Sequence, residues 1–180
     1  MREATEVGGL LDQELIERVI NIKRVSKVVK GGKQLKLSAS VVVGDGRGQV
    51  GLGHGKSKEV AVAVRKATAR ARKDMIRVAT TGRTIPHETQ GKYGASRVIV
   101  RPASEGTGLI ACSQVRAVLE AAGLRDALSK SLGSRNPYNT ARATITALQK
   151  LRTIDQVAAS RNKPVRHLAK ASAQHEAAQG

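Results

Sequence analysis

Glycine dominates residues 44–57, GDGRGQVGLGHGKS, where six of the fourteen residues lack a Cβ atom. Such a stretch either turns sharply or lets another group approach the backbone closely. It ends in Gly-Lys-Ser, as a Walker A phosphate-binding loop does, but that loop requires a glycine five residues before Gly55. Val50 occupies that position, so the spacing excludes a Walker A site.

Residues 46–51 also match the G-x-G-x-x-G pattern of nucleotide-binding loops. In a dinucleotide fold that loop leads directly into a helix. Here Val50 and Leu52 alternate with glycine, which indicates a strand instead. Asp45-Gly46 is typical of a tight turn between two strands. We therefore predict a β-hairpin, and a small nucleotide-dependent enzyme is the weakest of the functional alternatives.

The charge of the chain predicts a polyanionic partner. Thirty-two Lys and Arg oppose fourteen Asp and Glu, which gives a net charge of +18 over 180 residues. Nucleic acid is the usual partner of such a chain. A membrane surface is the rival, but no apolar run approaches the length of a membrane span. The first nine residues, MREATEVGG, lack an apolar signal core, so we expect a cytoplasmic protein.

The scarcity of aromatic residues narrows the kind of nucleic acid. The chain has no Trp, no Phe and only Tyr93 and Tyr138. Modules that read single-stranded RNA stack bases on aromatic side chains, whereas double-stranded RNA is recognised by its shape, phosphates and 2′-hydroxyls. The composition therefore favours structured RNA over single strands.

The first half of the chain predicts a β-β-β-α unit. Strands are expected over residues 15–29, 35–43 and 49–53, with a turn at Gly31-Gly32. In the second strand apolar side chains alternate with polar ones, which indicates one buried face. A helix is expected from Ser57, as its N-cap, to about residue 74, with its apolar stripe at Val60, Val64, Ala67 and Ala71 covering the sheet. This is the order of a double-stranded-RNA-binding domain without its first helix.

Basic residues cluster in this unit, and no acidic residue occurs between Val19 and Gly44. We also expect the start of the predicted helix, residues 55–58, to bind an RNA phosphate through free N–H groups and two lysines. A solvated basic helix start is the alternative interpretation. The predicted RNA-binding residues are Lys23, Arg24, Lys27, Lys30, Gly31, Gly32, Lys33, Lys36, Arg47, Lys56, Ser57 and Lys58.

A second α+β unit is predicted after a linker at residues 78–83. Strands are expected over residues 84–89 and 96–102, joined through residues 91–94 and followed by a flexible loop at 103–110. A helix at 113–122 ends at Gly123, a strand covers 124–132, and a last helix starts with Asn136 as N-cap and Pro137 at its first position. The order β-β-α-β-α contains a βαβ crossover.

These patterns predict four segments. Residues 1–14 are an N-terminal extension, 15–80 the double-stranded-RNA-binding-like domain and 81–152 the C-terminal α+β domain. Residues 153–180 form a basic Ala- and Gln-rich tail that we expect to be ordered only against a partner.

Several long segments resemble bacterial small-subunit ribosomal protein five, a universal small-subunit protein family. They include RVSKVVKGGK, VVVGDGRGQVGLGHGKSKEV, RPASEGTGLIA and VRAVLEAAGLRDALSKSLGSRNPYN, and the resemblance covers residues 15–152. It implies an N-terminal domain related to double-stranded-RNA-binding domains. It also implies a C-terminal domain whose βαβ crossover has the unusual left hand.

The resemblance further implies a structural role at the junction of the body and head of the small ribosomal subunit. The implied partners are 16S rRNA, small-subunit proteins four and eight, and messenger RNA on the path by which it enters. The implied roles are subunit assembly and decoding accuracy. The hairpin at residues 25–34 resembles the family loop that reaches into rRNA close to the spectinomycin site. Positions that resemble the interface with protein four are Ser104, Glu105, Gly106, Thr107, Gly108 and Arg116.

The chain departs from the family at Leu35, Leu37 and His54, where many members carry aromatic residues. We therefore expect no base stacking at these positions.

Catalytic and metal-binding functions find little support in the sequence. The four histidines show no paired metal-ligand spacing, and a lone cysteine, Cys112, excludes a thiolate zinc site. We expect Cys112 to be a small buried apolar residue, and we predict no enzyme activity, no metal and no cofactor. A free RNA chaperone or annealing protein is the alternative to a ribosomal protein.

Overall fold

The structure is a computed structural model of the 180-residue chain and describes residues 15–162. The predicted N-terminal extension and the basic residues Lys163, Arg166 and Lys170 of the tail lie outside the described residues. Among the described residues, no helix is long and apolar enough to cross a membrane.

The N-terminal half is an antiparallel sheet with one helix against it. The strands lie side by side in sequence order, and α1 connects the third strand to the fourth and packs on the sheet. The elements are β1 Ile16–Val29, β2 Gly32–Gly44, β3 Gln49–Ser57, α1 Val60–Lys73 and β4 Ile76–Arg77.

Three glycines of β3 allow α1 to lie directly on the strand. A Cβ atom at Gly51, Gly53 or Gly55 would stand only 2.1, 1.8 or 2.2 Å from a backbone oxygen of the helix. Those oxygens belong to Ala71, Ala67 and Ala63, one per helical turn. The glycines thus serve close packing of helix on sheet. Of the predicted apolar stripe, Ala67 and Ala71 are buried, whereas Val64 is half-buried and Val60 is exposed. Ala63 and Thr68 complete the buried face.

The predicted helix start at Ser57 is wrong. β3 continues to Ser57, which pairs with Leu37 of β2, and α1 begins only at Val60. The N-cap residue is Glu59, whose side chain makes no capping hydrogen bond. The strand is longer than expected because its glycines pack beneath the helix while β2 supplies its hydrogen-bonding partners.

The C-terminal half is a four-stranded mixed sheet with helices. Its strand order is β5-β6-β8-β7, in which only β7 and β8 are parallel, and α2 forms the crossover between those two. The α+β class and the crossover are thereby confirmed, whereas the left hand of the crossover stays a prediction. The elements are β5 Thr89–Tyr93, β6 Ser96–Pro102, β7 Leu109–Ile110, α2 Ser113–Ala121, β8 Ala127–Gly133, α3 Pro137–Gln149 and α4 Ile154–Arg161.

Helix ends in this half follow their sequence signals closely. Asn136 caps α3 by accepting a hydrogen bond from the backbone of Tyr138, with Pro137 at the first position. Gly123 follows α2 with a φ of +83°. Thr153 and Gln156 form a capping box at α4, so the start of the predicted tail is helical, which differs from the expectation that it needs a partner.

Two strand predictions in this half are displaced. The strand expected at 84–89 begins at Thr89, and residues 91–93, expected to connect the strands, belong to it. Gly91 lies beneath α3, where a Cβ atom would be 2.0 Å from the oxygen of Ala143. The strand expected from residue 124 begins at Ala127.

The two halves share one core. On β2, Val41 and Val43 pack with α1 residues, whereas Val42 belongs to the larger cluster that also holds Val118 and Leu148. The sheet is therefore covered on both faces, by α1 on one side and by the C-terminal half on the other. The predicted alternation of buried and exposed residues is wrong for β2 between Ser38 and Gly44, where every residue is buried.

We predict that Gly53→Ala destabilises the chain by about 3 kcal/mol or more, because the added Cβ atom meets helix backbone rather than a movable side chain. Gly82→Ala is the control. Gly82 has a φ of +58°, and apart from its two neighbours in sequence no described residue has an atom within 4 Å of a Cβ position built on it. That substitution therefore carries only the strain of a left-handed residue, about 1 kcal/mol. Urea unfolding measures the free energy of unfolding of both variants. Equal losses of this free energy in the two variants would contradict the close-packing argument.

Candidate nucleic-acid interface

The outer part of the β1–β2 hairpin extends beyond the core as an arm, which we define as residues 22–36. The strands pair as far as Val29 with Gly32, and Lys30 and Gly31 form the turn. Gly31 has a φ of +93°, a conformation that favours glycine. Nearly every residue of the arm is exposed, including Val28 at 73% and Leu35 at 53%. The arm therefore has no covering partner within the described residues.

Six cations lie along this arm, and none of them forms an ion pair with a carboxylate of the described residues. They are Lys23, Arg24, Lys27, Lys30, Lys33 and Lys36, all exposed. Uniform positive charge on an arm exposed on both faces is suited to contact with phosphates.

The remaining predicted RNA-binding residues do not all join the arm. Lys56 pairs across from Ser38 and Ser57 from Leu37, so both lie at the base of the arm, next to Lys58. Arg47 lies in the β2–β3 turn at the other end of β2, about 40 Å from the arm's tip by strand length. The predicted phosphate-binding residues 55–58 do not form the start of α1, because Lys56 and Ser57 belong to β3 and the N-cap residue is Glu59.

The loop at residues 104–108 is organised by a buried carboxylate. Oδ1 of Asp126 accepts hydrogen bonds from the backbone N–H groups of Gly106 at 3.1 Å and Gly108 at 2.8 Å. Asp126 is only 2% exposed, and the Arg83 Nε lies 3.3 Å from its Oδ2. This atom accepts no hydrogen bond of good geometry, so the ion pair is its compensation. The composition predicts a flexible loop, whereas the structure holds it by these contacts.

Around this loop the predicted interface residues come together. Ser104 and Thr107 share a hydrogen bond between their hydroxyls at 3.1 Å, and Glu105 binds Arg83 at 2.7 Å. Arg116 reaches back from α2 to donate to the carbonyl of Leu109 at 3.1 Å. The Glu105 carboxylate is therefore engaged by an arginine.

Sequence reasoning missed Asp126 and Arg83. The signal in the sequence for Asp126 was that it is the only acidic residue in the segment GLRDALSKSL. Cys112 also differs from its prediction, because it is exposed at the N-cap position of α2. Among the described residues, no group of three potential metal ligands is found.

His54, which the sequence singled out only as a departure from the family, is held by two hydrogen bonds. Its Nε2 and Nδ1 atoms lie 3.2 Å from the hydroxyls of Ser38 and Ser40, respectively. Burial lowers the pKa of His54, and the nearby cations Lys56 and Arg70 lower it further. The imidazole is therefore held in its neutral form more strongly than an exposed histidine.

Replacing Asp126 with Asn should loosen the loop, because the amide is a weaker acceptor for two backbone donors and leaves Arg83 without its buried partner. A hydrogen bond to a charged group contributes about 1.5–3 kcal/mol, so amide exchange of Gly106 and Gly108 should accelerate at least about tenfold. Glu105→Gln is the matched control, since it removes only the ion pair between Arg83 and the exposed Glu105 and leaves the one between Arg83 and Asp126. Equal exchange rates in the two variants would contradict the role of Asp126.

Comparison with known proteins shows the family of this chain. A model described as ribosomal protein S5, N-terminal domain matches residues 15–79, and a model of the C-terminal domain matches residues 91–161. The "Small ribosomal subunit protein uS5" of Syntrophobacter fumaroxidans is 48% identical over 155 residues. The alignment covers 86% of this chain and 93% of that relative. The chain therefore belongs to the ribosomal protein S5 family.

Proposed function

We propose that this chain is a structural constituent of the small ribosomal subunit and binds 16S rRNA through the β1–β2 arm. One observation carries the proposal: six cations lie on an exposed arm without an ion-pair partner in the described residues. An arm of like charges repels itself in the free protein, and RNA phosphates would relieve that repulsion. Family membership supports the ribosomal setting.

The apolar residues of the arm support the same interpretation. Val28 and Leu35 are among the most exposed large apolar side chains of the described residues, and both lie between lysines. A solvated arm gains nothing from them, whereas an arm inserted into folded RNA removes them from water. We place this contact at the junction of body and head, as the family resemblance implies.

The loop at residues 104–108, with Arg116, is proposed as a protein contact. Gly106 and Gly108 have φ values of +90° and +73°, and no other atom lies within 4 Å of a Cβ position built on either. Among residues 15–162 nothing covers their outward side, so a neighbouring protein can approach the backbone there. We assign this surface to small-subunit protein four and, through it, an influence on decoding accuracy. Contacts with protein eight and messenger RNA are further proposals from the family resemblance.

A structural role is favoured over catalysis. The family is a ribosomal one, and the Glu105 carboxylate, which follows Ser104 in sequence, is paired with Arg83. The alternative of a free RNA chaperone predicts sedimentation apart from ribosomes. The ribosomal proposal predicts that the chain sediments with small subunits in a sucrose gradient.

Replacing Lys27, Lys30 and Lys33 with Ala should flatten the salt dependence of RNA binding. Each phosphate contact contributes about 0.7–0.9 to the slope of log affinity against log salt, so the slope should fall by about two units. The fold should persist, because all three side chains are exposed. Filter binding to a 16S rRNA fragment from the head–body junction, at several salt concentrations, measures the slope.

The control for this experiment replaces Lys73, Lys92 and Lys130, which are equally exposed and lie outside the arm. The control removes the same number of positive charges, so it separates the effect of contacts made by the arm from the effect of the net charge. A slope that changes equally in both triple variants, or in neither, would show that the arm is not the RNA contact.

A bulky residue at Gly106 should disturb the proposed protein contact. Gly106→Arg adds a side chain on the open side of the loop, at the cost of about 1 kcal/mol for a left-handed residue. Subunits that carry it should lose protein four more readily and misread more often, with RNA binding retained. Gly94→Arg is the control, because Gly94 also has a positive φ, +56°, in an exposed turn. Unchanged misreading and unchanged retention of protein four would refute the assignment.

A further inference from the structure

Both tyrosines of this chain lie together with one histidine, His54. The sequence contains no Phe or Trp and only two tyrosines, and both tyrosines meet at one place. The Tyr138 ring lies 6.4 Å from the ring of Tyr93 and 5.4 Å from that of His54, both edge-on. Composition predicts that the chain cannot stack bases widely, but it does not show that its rings converge on one site.

The His54 and Tyr138 rings border a cleft of polar residues between the N-terminal sheet and the start of α3, and Tyr93 lies next to Tyr138 outside the cleft lining. The cleft has a volume of about 310 Å³, at the lower end of the range for small-molecule sites. It opens between strands of one half and a helix of the other, so neither half forms it alone. Its lining residues are Asn21, Lys23, Ser38, Ser40, His54, Asn136 and Tyr138.

The hydrogen bonds of His54 fix the orientation of its ring. The hydroxyls of Ser38 and Ser40, both on buried residues, hold its two nitrogens and leave the ring faces for packing. The backbone of His54 is also fixed, because its carbonyl accepts a hydrogen bond from Arg70 at 2.8 Å. Such a residue provides a flat, mostly neutral surface of fixed orientation.

The rest of the lining suits a nucleotide. Lys23 is an exposed cation at the rim, and no carboxylate lines the cleft. Asn21 and Asn136 contribute side-chain amides, which both donate and accept hydrogen bonds as base edges do. An aromatic face, amides and a lysine together match the base and the phosphate of a single nucleotide.

We propose that this cleft binds one unpaired base of the rRNA. The base stacks against the Tyr138–His54 pair, the two asparagines contact its edge, and Lys23 contacts the flanking phosphate. This inference rests on the proposed rRNA-binding function and adds a base-binding subsite to it. It also reverses the expectation that no stacking occurs at His54.

Tyrosine fluorescence reports on this cleft, because no tryptophan masks it, Tyr138 lines the cleft, and the other tyrosine of the chain, Tyr93, lies beside Tyr138. The full chain is titrated with an RNA duplex that carries one unpaired adenosine and with the same duplex fully paired. We expect saturable quenching with the first duplex only. Stacking of one base should also make the first duplex bind on the order of tenfold more tightly at equal salt.

Variants then test whether the cleft residues cause the difference in affinity between the two duplexes. Tyr138→Leu and His54→Gln should each reduce the ratio of the two affinities toward one. His54→Gln retains hydrogen-bonding capacity toward the serines, so it serves if Tyr138→Leu does not fold. Lys30→Ala, at the tip of the arm, is the control and should weaken binding of both duplexes equally.

Failure of this inference differs from failure of the proposed function. Equal affinities and no quenching, with both duplexes still bound, would overturn the base-binding cleft and leave the RNA-binding arm intact. A ratio of the two affinities that stays unchanged in both Tyr138→Leu and His54→Gln would also overturn the base-binding cleft. Loss of all RNA binding by the unmodified chain would refute the proposed function itself.

Discussion

The fold depends on contact between the glycine-rich β2–β3 turn and the end of α2. The N–H groups of Gly46 and Gly48 donate to the carbonyls of Ala121 and Ala122, each at 3.0 Å. These carbonyls are among those that a helix leaves free at its C-terminus. The approach requires glycine, because a Cβ atom at Gly44 would lie 2.1 Å from the Ala121 oxygen. At this point the N-terminal sheet is joined to the C-terminal half through backbone atoms, in addition to the side-chain core that the two halves share.

This junction explains how one small chain supports an exposed arm. Because α1 covers one face of the N-terminal sheet and the C-terminal half covers the other, the inner ends of β2 and β3 are buried on both faces. That burial anchors the hairpin at one end and leaves its other end free to extend. The same junction brings α3 beside the sheet, so that Tyr138 meets His54 and the polar cleft is formed.

Local signals predicted several elements correctly because they act within a few residues. Asn136-Pro137 at the start of α3, Gly123 after α2 and the turn near Gly31 are examples in which capping or a positive φ decides the conformation. The prediction at Ser57 failed because it rested on a local capping rule while β3 is held extended by distant partners. The loop at 104–108 was expected to be flexible because its organising residue, Asp126, is about twenty residues away along the chain.

By itself, the sequence determined the α+β class, the basic character of the first unit, the position of the arm and the family resemblance. Those properties follow from residue type, periodicity and spacing, which act locally or sum over the chain. Only the tertiary structure decided that the glycines serve backbone packing, that β2 is buried on both faces, and that the scattered aromatic rings converge. Each of these depends on contacts between residues far apart in sequence. A periodicity shows which face of an element is apolar, but not what lies against it.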